Sequence, residues 1–230
     1  MSFVRSKAWF KKNPPKATKR RKTRKRATMK LGQGVPSGIS NIQVAKLRYS
    51  ENITLTSAFS VLNFVGYRAN GLNDPRAFAG GHRPMAMDTW ASLYNYYVVK
   101  SAKVTFHVTD GNEQIDPYIC GAYLDDNNST LYTDSSGYIE GKKGSYRFST
   151  GKQSSPLAVK TSFNAKKFFN VTDIKDNLPT LGSVVADDPT NQAYFMFWYQ
   201  VLNGGSGTVS ITVVVDYVAE FSEPKTLSQS

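Results

Sequence analysis

The sequence predicts an all-β fold, an eight-stranded jelly-roll sandwich preceded by a disordered basic N-terminal arm. Two observations predict it. From Ile42 onward the apolar residues recur with a period of two in about eight runs, separated by segments rich in Gly, Asn, Asp and Pro. Before that point the first 30 residues are cationic and free of acids, and residues 16 to 26 are too repulsive and too poor in apolar residues to fold unaided. Eight strands with long connections suit a jelly roll rather than a meander.

The arm comes first. Of 29 Lys and Arg residues, 13 lie within residues 1 to 30: Arg5, Lys7, Lys11, Lys12, Lys16, Lys19, Arg20, Arg21, Lys22, Arg24, Lys25, Arg26 and Lys30. The first acid is Glu51, so residues 1 to 30 carry +13, while the other 200 residues set 16 cations against 17 acids and carry −1. A basic tail on a neutral body fits a polyanion, because each cation that neutralises a phosphate releases a condensed counterion. All 13 are candidate nucleic-acid contacts. The same clustered cations suit recognition by a nuclear import receptor.

Pro14 and Pro15 separate the dense run at 16 to 26 from an amphipathic piece holding Phe3, Val4, Trp9 and Phe10. Trp9 and Phe10 suit stacking on bases or tucking against protein. Lys and Arg contact phosphates and read no bases, so binding is expected to be sequence-independent, and the run does not choose between DNA and RNA. Residues 31 to 41 hold three glycines and a proline and read as a linker. The expected domains are thus an arm and linker over 1–41 and a shell-forming sandwich over 42–230.

Strands follow over 42 to 56 and through Phe59, Val61, Val65 and Tyr67. Residues 104 to 109 alternate, with Val104, Phe106 and Val108 inward and Thr105, His107 and Thr109 outward. Further strands are expected over 117 to 124, 144 to 150 and 157 to 169. Residues 194 to 202 are apolar on both faces, which fits a strand buried on both sides or covered by a neighbouring subunit. In the last strand Val209, Ile211, Val213, Val215 and Tyr217 share one face, with Ser210, Thr212 and Asp216 on the other. One short helix is expected, capped by Asp88 and placing Trp90, Leu93, Tyr94 and Tyr97 on one side. Loops 69 to 88, 125 to 143 and 170 to 192 are long, as functional loops tend to be.

No constellation for catalysis, metal or cofactor is evident. His82 and His107 with the single Cys120 do not make an ordinary zinc site, and Cys120 reads as a small core residue. No Gly-x-Ser-x-Gly occurs, and Gly137 to Lys143 reads as a turn rather than a phosphate loop. Asp125-Asp126 and Asp187-Asp188 are paired carboxylates of a kind calcium favours, or simply solvated loop acids. No apolar run of 18 residues and no signal-peptide pattern occurs, so neither membrane span nor secretion is expected, and the sequons at Asn52, Asn128 and Asn170 are expected to go unused.

The order of features resembles the coat proteins of circoviruses and related circular, Rep-encoding single-stranded DNA viruses. The residues that carry the resemblance are the basic arm, Asn73-Asp74-Pro75, the aromatic stretch from Pro84 to Val108, Tyr123 to Asp126, Ser162 to Phe169 and the closing stretch from Val209 to Pro224. A departure is that Lys and Arg are mixed here, eight to five, where circovirus arms are usually richer in Arg. The resemblance implies a jelly-roll capsid protein that assembles with itself into a small icosahedral shell of about 60 subunits, its arm inward on a circular single-stranded DNA genome. By count, 60 arms of 13 cations bring on the order of 780 charges to neutralise phosphates. It further implies a virion location, passage through the host nucleus and a cell-surface attachment receptor.

Two alternatives stay open: a coat protein of a small positive-strand RNA virus or satellite, and a non-viral β domain that binds nucleic acid without sequence preference. A sandwich lectin or hydrolase is a third reading.

Overall fold

In a computed structural model, residues 39–78, 80–110, 116–151 and 155–226 are described. Nine strands form two antiparallel sheets. They are β1 (Ile42–Ser57), β2 (Asn63–Arg68), β3 (Tyr94–Asp110), β4 (Tyr118–Asp125), β5 (Ser145–Ser149), β6 (Leu157–Asn164), β7 (Gly182–Val184), β8 (Tyr194–Val201) and β9 (Gly207–Pro224). One sheet runs β1-β9-β3-β6, with the three-residue β7 also on β3, and the other runs β2-β8-β4-β5.

The pairing is nested. With β7 left aside, the first strand pairs with the last, the second with the penultimate, the third with the sixth and the fourth with the fifth. The pairs β3–β9 and β4–β8 then join these ribbons into two four-stranded sheets. That is the wound double Greek key of a jelly roll, so the expected fold class is the observed one.

Alternation decides which side of each strand is wet. In β9, Val209, Ile211, Val213, Val215 and Tyr217 are buried while Ser210, Thr212 and Asp216 are exposed. In β1, Ala45, Leu47 and Tyr49 are buried while Lys46, Arg48 and Ser50 are exposed. These inward residues meet Phe106, Phe195, Phe197 and Tyr199 in one core between the sheets. Cys120 lies in that core, wholly buried, and burial pushes its thiol up to about 12. A thiol reagent at pH 8 is therefore expected to leave Cys120 unmodified in the native protein and to label it fully in denaturant, as mass spectrometry would show.

The doubly apolar β8 has a specific explanation. Phe195, Phe197, Tyr199 and Val201 face the core, while Met196 and Trp198 lie under a second cluster on the outer side of their sheet. The chain's own loop covers them. Helix α2 (Ser135–Glu140) lays Tyr138 on Trp198, with ring centres 4.9 Å apart and planes at 17°. Gly121 on β4 makes room, since a Cβ there would stand 2.5 Å from the Trp198 ring. Gly137 to Gly141 therefore belongs to a helix and its cap, not to a plain turn.

Four further expectations are corrected. The early helix α1 is Met87–Leu93, begun at Ala86 in the left-handed region without a side-chain cap, because the Asp88 carboxylate takes the Arg83 guanidinium instead, 2.8 Å away. Tyr94 and Tyr97 leave the helix and open β3, where pairing with β9 extends the strand from 94 rather than from 104. Phe59 and Val61 are not strand residues. Phe59 and Ser60 both take positive φ in a turn tied to the 203–206 loop through Ser60 N–H to Gly205 O, and both Phe59 and Val61 are exposed. Finally, the expected strand over 157 to 169 ends at Asn164, whose side chain caps the short helix α3 (Ala165–Phe168), and a fourth helix, α4 (Leu178–Leu181), follows a 3-10 turn at Lys175–Asn177.

Candidate nucleic-acid interface

The 13 arm cations lie outside the described residues. Among the described residues, a second cationic surface appears that the sequence reading did not single out: the outer face of the β1-β9-β3-β6 sheet.

Register places its side chains in cross-strand rows, about 7 Å apart along the strands. Nearest the start of β1, Ile42, Ser222, Tyr96 and Val184 form one row, and Val44, Glu220, Val98 and Gly182 the next. Then come Lys46–Val218–Ser101–Asn164, Arg48–Asp216–Lys103–Ser162 and Ser50–Val214–Thr105–Lys160. Beyond them the face is neutral and polar, with Asn52, Thr212 and His107 followed by Thr54, Ser210 and Thr109. Five cations, with Lys100 at the bulge between Val99 and Ser101, thus face two acids.

Both acids are taken. Arg48 Nε donates to Asp216 Oδ1 at 2.6 Å, which raises the Arg48 pKa, and Lys100 Nζ donates to Glu220 Oε2 at 2.7 Å. The Arg48 pair is open to water and contributes little stability. Lys46, Lys103 and Lys160 are exposed and have no ion pair among the described residues. A shallow open groove of about 740 Å³ runs between Lys46 and Lys103, lined also by Arg48, Asp216, Ser162 and Asn164. The cationic rows span roughly 14 Å, the length of a stretch of nucleic-acid backbone rather than of one phosphate.

Several other charged groups among the described residues are committed to structure. Glu51 points between the sheets and accepts from Tyr49 at 2.9 Å, Tyr67 at 3.0 Å and the Arg76 guanidinium at 2.8 Å. Burial, with Glu51 adding to it, pushes both tyrosine hydroxyls well above the ordinary tyrosine range. Arg68 donates to the carbonyls of Asp74 and Arg76 and lies 3.6 Å from Asp188. These bonds pin the long loop between β2 and α1 onto the sandwich.

Asp188 is correspondingly not a solvated loop acid. It is largely buried, it takes the Asn73 N–H and the Tyr97 hydroxyl, and burial raises its pKa despite Arg68. Asp125 and Asp126 line a separate hollow of about 670 Å³ with Lys143, Phe168 and Phe169, where burial, then the hydrogen bond to Asp126, raises Asp125. Among the described residues no group of three His, Cys, Asp or Glu gathers as metal ligands, and no helix is long and apolar enough to cross a membrane. The two histidines are far apart in use. His82 sits between the carbonyls of Arg83 and Ser50, and His107 stands exposed on the outer sheet face.

No protein-family model matches the chain, and no curated protein matches it. Solved structures do. A chain from Desmodium yellow mottle tymovirus is 15% identical, with 85% of this chain and 97% of that chain covered, at a TM-score of 0.41. A decameric BFDV capsid protein is 14% identical over 79% of this chain and 100% of its own, at 0.42. Mud crab tombus-like virus is 11% identical over 85% and 96%, at 0.47.

Proposed function

We infer that this chain is a viral capsid protein, structural rather than catalytic, which assembles with copies of itself into a small icosahedral shell of about 60 subunits and packages a single-stranded DNA genome through its basic N-terminal arm. The single observation that carries the reading is the join at residue 41. An acid-free stretch with 13 cations feeds β1 of a jelly roll, and β1 is an edge strand of the sheet whose outer face is itself cationic. The arm and that face of the sandwich each carry the cations that a polyanionic genome calls for.

The choice of DNA, and of a circovirus-like virus, rests on the resemblance in sequence order from the arm to Pro224. Passage through the host nucleus follows from a DNA genome together with the clustered arm cations.

Negative-stain microscopy of the purified full-length protein, with the absorbance ratio at 260 and 280 nm on the same sample, tests the reading. Uniform closed particles rich in nucleic acid are expected, and the strand extracted from them should be digested by DNase but not by RNase. A monomer that stays monomeric across salt and pH would overturn the coat reading in favour of a non-viral nucleic-acid-binding domain.

A further inference from the structure

We propose that the outer face of the β1-β9-β3-β6 sheet is a binding surface for single-stranded nucleic acid, with Tyr96 as a platform for a base and Lys46, Lys103 and Lys160 as contacts for the phosphates beside it. The inference rests on the packaging reading above and gives the body of the protein a part in it, separate from the arm.

The argument is the order of rows on that face. Its first row is apolar and wet: Ile42, Tyr96 and Val184 are each between 42% and 44% exposed, and Val44 in the next row is 47% exposed. Four half-exposed apolar side chains in one patch mark a contact surface rather than scattered surface residues. The three following rows carry the unpaired ammoniums. About 14 Å separates the Tyr96 row from the Lys46 row along the strands, a gap that long lysine side chains shorten.

A ligand for both halves must be anionic and must also offer flat apolar surface. A single strand does so, because its bases are free to stack on an aromatic ring while its phosphates follow a cationic track. A duplex presents phosphates but keeps its base faces stacked inside. A second copy of this chain fits poorly, since pairing this face with itself sets one set of unpaired lysines against another of like charge.

Lysine acetylation of the full-length protein, read residue by residue by mass spectrometry with and without a thymidine 30-mer, tests the track. Lys46, Lys103 and Lys160 are expected to be protected several-fold, while the exposed Lys142 and Lys143 keep their reactivity. A 30-mer containing 5-iododeoxyuridine should crosslink to Tyr96 on irradiation. In 0.5 M salt, where contacts of the arm are weakened, Tyr96→Ala should lower affinity for the thymidine strand by about fivefold to a hundredfold, and Tyr96→Phe should retain it.

Protection of arm lysines alone would overturn this inference and leave the packaging reading standing. Protection nowhere would overturn both. Equal protection by a duplex or an abasic strand, without the Tyr96 crosslink, would refute the base platform. Protection that rises with protein concentration in the absence of nucleic acid would assign the face to a second copy instead.

Discussion

Removing residues 1 to 30 is expected to leave the sandwich folded and to cut packaging sharply. The deletion takes away 13 of the 29 cations and no residue of either sheet, so the core between the sheets loses nothing. What it removes is the counterion-release term. At about 0.7 per neutralised phosphate for single strands, 13 contacts give a log–log salt slope of roughly −9, which corresponds to about five decades of affinity between 50 and 200 mM salt. The truncated protein should therefore show a slope shallower by roughly that amount in fluorescence anisotropy. Its particles should show an absorbance ratio shifted strongly toward that of protein alone. A truncated form that packages as well as the full chain would refute the role of the arm.

Replacing Glu51 is expected to be the most damaging single change to a polar residue. Its carboxylate takes two tyrosine hydroxyls and one guanidinium between the sheets, and its side chain is only 13% exposed. Glu51→Ala leaves Arg76 without its counter-charge and strands the hydroxyls of Tyr49 and Tyr67. Removing one partner of such a buried pair costs about 3–5 kcal/mol. In a domain of this size that lowers Tm by roughly 6–20 °C. Differential scanning fluorimetry of the unassembled subunit measures it, with Arg48→Ala as the contrast. Arg48 and Asp216 also stand 2.6 Å apart but face water, so that substitution should move Tm little. A wild-type Tm in Glu51→Ala would show that the network does not hold the loop between β2 and α1.

How well the fold could be read in advance varied by element for identifiable reasons. The alternation in β9 and β1 was legible because each has one wet face, so polarity reports geometry residue by residue. Tyr94 and Tyr97 were misread because helical spacing and an aromatic strand start look alike over four residues, and only the partner strand β9 decides between them. Phe59 and Val61 were misread because an alternating pair says nothing about the two positive-φ residues that turn the chain out into solvent. The cationic sheet face was invisible for another reason. Lys46, Lys103 and Lys160 are scattered over 115 positions, and the signal available, a lysine on the polar side of each of three strands, has no meaning until the strands are ordered.

Charge segregation and binary pattern are properties of a linear string, so the sequence alone determined that this chain has a basic arm, a neutral body and strands with one buried side. Which strands are neighbours depends on contacts between distant residues. Ile42 meets Ser222 and Lys103 meets Asp216 only because the first, third and last long strands share a sheet. The tertiary structure therefore decided the rows of the outer face, the burial of Glu51 and Asp188, and the covering of Trp198 by the chain's own loop, because each depends on side chains that approach through space rather than along the chain.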